Sequence, residues 1–260
     1  MKKLFYSGLM AACMMMMASC LESGSNEQQR EGAVGVIRFD TKSMKMVIEC
    51  FDFYPFLYYA PGLETTELND GDCVLFGYVV DLSNEANTDY QTTGIIQGNI
   101  STISRLDQFP CSPYLIDTAK LMEKEQPIAY AVSSNGGYLY FSQKLFVASN
   151  FSYKEKQQTD WHLYYDPELP AKNVDGKNVY SLFLRATIKV EDSTGSTQNG
   201  NVIINTFNAE NFFNATQNLE KNLGKDKVYF RINHIKEIKE DSTFVWAESD
   251  LLDINIAQSE

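Results

Sequence analysis

The chain has 260 residues, 44% apolar and 13% aromatic, enough to bury a sizeable core and to exclude a disordered or collagen-like protein. Its 34 acids against 22 bases leave a formal net charge of −12. That is the wrong sign for clasping phosphate backbones, which takes clustered Lys and Arg, so nucleic acid is not expected as a partner.

Lys2 and Lys3 precede an apolar run from Leu4 to Ala18, interrupted by Ser7 and Gly8. The run is too short for a permanent spanning helix and has the layout of an export signal over residues 1–19. It ends in Met17-Ala18-Ser19-Cys20, which resembles the lipobox of bacterial lipoproteins. That resemblance implies a diacylated Cys20 thiol, cleavage just before Cys20 and acylation of the new amino group. Loss of residues 1–19 removes two Lys and no acid, leaving 34 acids and 20 bases, a net charge of 20 − 34 = −14. Each buried methylene contributes about 0.8 kcal/mol, so two or three acyl chains anchor a protein without a spanning helix. No later segment has 18 consecutive apolar residues. Leu21, rather than Asp, follows Cys20, which resembles lipoproteins released to the outer membrane. The expected place is therefore the outer membrane, lipid-anchored, with the body in the periplasm or on the cell surface. Residues 20–31 contain a single apolar side chain after Cys20 and read as a flexible tether.

Beyond the tether the dominant period is two. Residues 33–39 and 44–53, joined by Asp40-Thr41-Lys42-Ser43, read as a hairpin. Pro55 and Pro61 punctuate an aromatic stretch, and Asn69-Asp70-Gly71-Asp72 then turns the chain into a buried strand over 73–82. Residues 92–103 follow as a strand pair or one long bent strand. These elements predict an OB-like barrel over 32–105. Residues 106–126, with Pro110 and Pro113, read as a linker. The remainder, 127–260, predicts a β-sandwich with strands at 137–147, 161–165, 178–190, 201–207, 227–235 and 243–247. In 178–190, Tyr180, Leu182, Leu184, Ala186, Ile188 and Val190 face one way and Ser181, Arg185, Thr187 and Lys189 the other, with Phe183 the exception. One short helix is predicted, capped by Asn208, with Phe212, Ala215, Leu219 and Leu223 at helical spacing and Gly224 as its stop.

Chemistry-bearing patterns are sparse. His162 and His234 each alternate with apolar neighbours inside a predicted strand, and neither sits in a nucleophile motif. G-x-S-x-G, the Walker loop, H-E-x-x-H and the dinucleotide glycine fingerprint are absent from the sequence. Cys50, Cys73 and Cys111 lack C-x-x-C spacing and a His companion, so they are expected as buried free thiols, not as a zinc or redox site. No metal and no cofactor is expected, and no enzymatic activity. In the stretch FDFYPFLYY, Tyr54, Tyr58 and Tyr59 could form an exposed ring platform for a sugar; a core strand leaving a turn at Pro55 is the competing account and the favoured one.

A lipobox Cys20, a polar tether, an early hairpin leading into NDGDCVLFGYVVD and a strand-rich second half with NVYSLFLRATIKV resemble the NigD-like bacterial lipoproteins. The resemblance implies an all-β chain, an OB-like N-terminal domain followed by an immunoglobulin-like β-sandwich, and no catalytic residues. The function expected is a non-catalytic envelope binding or scaffolding module. Its partners would be the membrane through the lipid anchor, and an envelope protein or a glycan. The alternatives are a glycan-binding surface lipoprotein and an adhesin-like accessory protein that adds a strand at an open sheet edge.

Overall fold

The computed structural model describes residues 27–114, 117–132, 136–191 and 195–256, and side chains 198–201 fall outside that description. Among the described residues the chain is mostly β, with one short α-helix, one α-helical turn and three 3-10 turns, and it divides between Arg105 and Leu106 into two compact units.

The first unit contains β1 (Glu27–Asp40), β2 (Lys45–Cys50), β3 (Leu57–Tyr59), β4 (Cys73–Asp81), the helical turn α1 (Tyr90–Thr93), β5 (Ile95–Gln97) and β6 (Asn99–Arg105). The β1–β2 hairpin turns where Asp40 accepts hydrogen bonds from Ser43 N (2.9 Å) and Ser43 Oγ (2.6 Å), as the sequence led one to expect. The sheet order is β5-β3-β2-β1-β4-β6, with β5 parallel to β3 and β6 antiparallel to β4. Only Gly98 separates β5 from β6, so one bent strand pairs with both ends of the sheet and closes an OB-like barrel. A side chain at 98 has no room there, because a Cβ would stand 2.5 Å from Val79 O and 2.8 Å from Tyr58 Oη. The barrel is filled by Ile37, Ile48, Val74, Val80 and Ile96 around the rings of Phe53, Tyr58, Phe76 and Tyr78.

β1 starts at Glu27, so residues 27–31 are not part of a tether. They pair with β4 from Asp81 to Tyr78, and Arg30 forms an ion pair with Asp52. A ladder is made by backbone groups, so polar, largely exposed side chains do not prevent it.

The second unit contains β7 (Gln108–Pro113), β8 (Glu125–Gln126), β9 (Tyr130–Ala131), β10 (Tyr138–Phe141), β11 (Lys144–Lys154), β12 (Gln158–Tyr165), β13 (Lys172–Val174), β14 (Lys177–Val190), β15 (Thr197–Asn208), helix α2 (Glu210–Asn222), β16 (Lys227–Ile238), β17 (Phe244–Glu248) and β18 (Leu252–Asn255). Its pairing order is β10-β11-β15-β7-β12-β14-β16-β17. Leu145, Val147, Phe151 and Phe207 from the first three of these strands pack with Trp161, Leu163, Leu182, Leu184, Phe230 and Ile232 from the others. The result is an immunoglobulin-like two-layer sandwich. β7 is the seam: it runs parallel to β15 at Thr206↔Gln108 and parallel to β12 at Leu163↔Cys111.

β7 and β8 lie within the stretch read as a linker, 106–126, which is instead part of the sandwich. Pro110 and Pro113 suggested a break, yet this short seam strand accommodates both while its neighbours supply the ladder bonds. The same stretch covers the outer face of β14, so Arg185, expected outside, is only 5% exposed. Phe183 is buried on that face too, edge-on to Trp246 at 5.8 Å. Residues 137–147 are two strands, not one, turning at Ser142 and Gln143, whose φ values are 51° and 66°.

The helix falls where the spacing placed it, but its N-cap residue is Ala209 and its buried side chains are Phe212, Phe213, Thr216 and Glu220. Leu219 and Leu223 are exposed. The rotation of the buried face follows from Glu220, whose Oε1 accepts hydrogen bonds from Asn178 Nδ2 (2.9 Å) and Tyr180 Oη (2.7 Å) as the side chain enters the interior.

Candidate functional site

Cys20, the expected lipidation site, lies outside the described residues. The three tyrosines proposed as a ring platform are not brought together as one. Tyr54 is 68% exposed, whereas Tyr58 is fully buried, stacked on Phe53 with ring centroids 5.2 Å apart, and donates its hydroxyl to Asn99 O (2.8 Å). Tyr59 is half-buried beneath the Lys45 ammonium, 4.1 Å from its ring centre. Tyr58 therefore belongs to the barrel core, and the cluster around it explains the aromatic richness of the stretch.

Cys50, Cys73 and Cys111 are buried and none is in a disulfide. Burial pushes the Cys50 and Cys111 thiols up to about 12, with the nearby Asp52 carboxylate adding to the effect at Cys50. His162 Nε2 lies 3.1 Å from Thr187 Oγ1, and its ring stacks on Tyr164. His234 is buried beside a small cavity of about 170 Å³ and its Nδ1 has no hydrogen-bond partner. Burial holds both imidazoles below the ordinary histidine value, favouring the neutral form. Among the described residues no group of three His, Cys, Asp or Glu side chains is placed to hold a metal ion.

The larger concavity, about 580 Å³, opens between the two layers of the sandwich at the start of β7. Its volume falls within the range of about 300–1,000 Å³ usual for small-ligand sites. Alternation along three strands builds it. On β15 the inward positions are Ile203, Asn205 and Phe207, and the first two of these line the cleft. β11 adds Phe151 and Tyr153, and β12 adds Thr159 and Trp161, again two residues apart. The aromatic wall is fixed by its own packing: Phe151 stands edge-on to Trp161 at 4.9 Å and stacks on Tyr153 at 5.2 Å. Asp107, Asp160 and Lys189 stand at the rim, with Lys189 Nζ 3.5 Å from Asp160 Oδ1.

Asn205 is the unusual member. It is 3% exposed and its Nδ2 has no hydrogen-bond partner. An unpaired buried donor costs about 1–3 kcal/mol, so a group that brings an acceptor to it gains that much in addition to its other contacts. The signal for Asn205 was present in NVIINTF, as an amide on the apolar side of a strand, but the other lining residues come from segments that no short motif connects.

Residues 24–104 match the family described as a lipoprotein OB domain. The match covers 81 of the 260 residues and most of the first unit, which is therefore similar to the OB domains of lipoproteins. The wider fold is shared with solved structures from Parabacteroides and Bacteroides species. An uncharacterised protein from Parabacteroides merdae is 20% identical with a TM-score of 0.76, covering 88% of this chain and 100% of its own. A candidate lipoprotein from Bacteroides fragilis is 12% identical with a TM-score of 0.57, covering 90% and 100%. A NigD-like immunity protein from Bacteroides caccae is 12% identical with a TM-score of 0.50, covering 85% and 91%. The resemblance to NigD-like lipoproteins drawn from the sequence thus holds in the architecture of both units. No curated protein matches the chain.

Proposed function

We propose that this protein is a lipid-anchored outer-membrane lipoprotein whose sandwich unit serves as a non-catalytic binding module in the cell envelope. The observation that carries the reading is the cleft at the start of β7, with a packed aromatic wall and a buried amide donor left without a partner. The lipobox at Cys20 and the lipoprotein OB domain over residues 24–104 support the address. A binding role, not turnover, is supported by the state of the two histidines, one engaged with Thr187 and the other buried away from any nucleophile the cleft presents.

The test is photo-crosslinking of the full lipidated chain in native membranes, with the reactive group placed at position 153 on the cleft wall. The expected result is a specific adduct, absent when the group is placed at the exposed Lys225, which precedes β16 and does not line the cleft. Equal labelling from both positions, or release of a chemically altered ligand on incubation, would overturn the reading.

A further inference from the structure

We propose that the sandwich cleft takes a neutral oligosaccharide, with Asn205 Nδ2 donating to a sugar oxygen deep in the cleft while the ring faces of the sugar lie against the aromatic wall. This inference deepens the binding-module reading and rests on it.

Three properties of the cleft select the ligand class. The first is its mixture of surfaces. Phe109, Tyr153 and Ile203, backed by the buried Phe151 and Trp161, supply apolar lining beside amide, hydroxyl and carboxylate groups. A pyranose presents C–H faces and a hydroxyl rim, so one ligand satisfies both. The second is the need of Asn205. A purely apolar ligand would leave its Nδ2 unpaired, whereas a sugar hydroxyl or ring oxygen accepts from it once the amide, just beneath the cleft surface, turns toward the ligand. The same hydroxyls can donate to the carboxylates of Asp107 and Asp160, because a hydroxyl both donates and accepts. The third is charge. The rim holds two carboxylates and one ammonium, and that ammonium is already 3.5 Å from Asp160. An anionic polymer would meet net negative charge with no unengaged cation among the lining residues to offset it.

An extended peptide is the main rival occupant. It satisfies donors and acceptors along one line, at a strand edge. The polar groups of the cleft are instead spread over β7, β12, β14 and β15, so they surround a compact ligand.

The experiment uses the full chain purified in detergent and an array carrying neutral oligosaccharides, sulfated and uronic-acid oligosaccharides, and extended peptides, followed by calorimetry on each hit. The expected outcome is binding of a neutral oligosaccharide and not of the charged ones. Tyr153→Ala and Asn205→Asp should each weaken that binding about 10-fold or more, with the thermal midpoint of each variant measured beside it. Tyr153 is half-buried on the wall, so its variant keeps the test valid if the buried Asn205 substitution unfolds the sandwich. Binding that both folded variants leave unchanged would overturn the cleft as the sugar site. Binding of peptides alone, or of anionic sugars alone, overturns the ligand class while leaving the binding module intact. An array with no hit, together with failure of the position-153 crosslink, removes both readings.

Discussion

Arg185 of β14 and Glu125 of β8 form an ion pair whose side chains are 6% and 1% exposed. Arg185 also donates to Lys120 O (2.8 Å), Glu125 accepts from Met122 N (2.7 Å), and Trp246 covers the guanidinium at 5.8 Å from its ring centre. The pair fastens the 117–126 segment over the outer face of β14. Arg185→Ala would strand a buried carboxylate and should cost about 3–5 kcal/mol of stability in urea denaturation. Arg185→Met combined with Glu125→Leu removes both charges and should recover most of that loss. A double variant as unstable as the single one would show that the cost lies in lost packing and backbone contacts, not in the stranded charge.

Closure of the barrel at Gly98 gives a second test. Gly98→Ala places a Cβ against Val79 O and Tyr58 Oη, both fixed, and should destabilise the first unit by about 1–3 kcal/mol. Tyr58→Phe removes the hydroxyl that bonds Asn99 O and should cost about 1 kcal/mol, leaving the ring stack in place. Combining the two relieves one of three clashes, those with Val79 O and Val80 Cγ2 remaining, so the double variant should lose less than the sum. Strict additivity in the denaturation curves would count against the close approach.

Legibility in the sequence divided along a physical line. The first hairpin, the strand at 73–82 and the helix were readable because local alternation, turn residues and a 3.6-residue spacing act within a few positions. Arg185 was misplaced because its burial depends on a distant segment folding over β14, and the proline-bearing β7 was missed because its partners lie about 50 and 100 residues further on. Leu219 and Leu223 misled for a related reason: the face of α2 is chosen by Asn178 and Tyr180, which satisfy Glu220, and helical spacing carries no record of them. The cleft was illegible as a whole, since it exists only once β7, β11, β12, β14 and β15 are assembled.

Alkaline titration should separate the buried tyrosines from the exposed ones. Burial raises Tyr58, Tyr78 and Tyr180 above the ordinary tyrosine value, with Glu220 contributing at Tyr180, and raises Tyr140 to about 12. A tyrosine whose folded value is raised keeps its proton when the unfolded chain has lost it. The stability these groups contribute is therefore complete below the unfolded value near 10 and falls as pH rises through the folded values. Absorbance at 295 nm should show exposed tyrosines ionising first and a second step that coincides with loss of the folded circular dichroism signal. A single smooth titration with the fold intact would contradict this burial. In the same samples at pH 8, Cys50, Cys73 and Cys111 should resist a thiol reagent until denaturant is added, since all three are buried.

The proposed address rests on the Cys20 thiol. No helix among the described residues is long and apolar enough to cross a membrane, and this leaves a β-barrel span untested. A single myristoyl chain binds a membrane only marginally, whereas two or three acyl chains, at about 0.8 kcal/mol per buried methylene, hold a protein there effectively permanently. Under the proposed lipidation, Cys20→Ser removes the acceptor for the diacylglycerol and, with it, the cleavage that exposes the second acylation site. The wild-type chain should sediment with outer membranes and be extracted by detergent, and its mature mass should correspond to residues 20–260 plus lipid. The variant should keep residues 1–19 or be cut elsewhere, and it should carry no acyl mass. A Cys20→Ser chain that still carries acyl mass, or a wild-type chain of unlipidated mass, would assign the anchor to something other than Cys20.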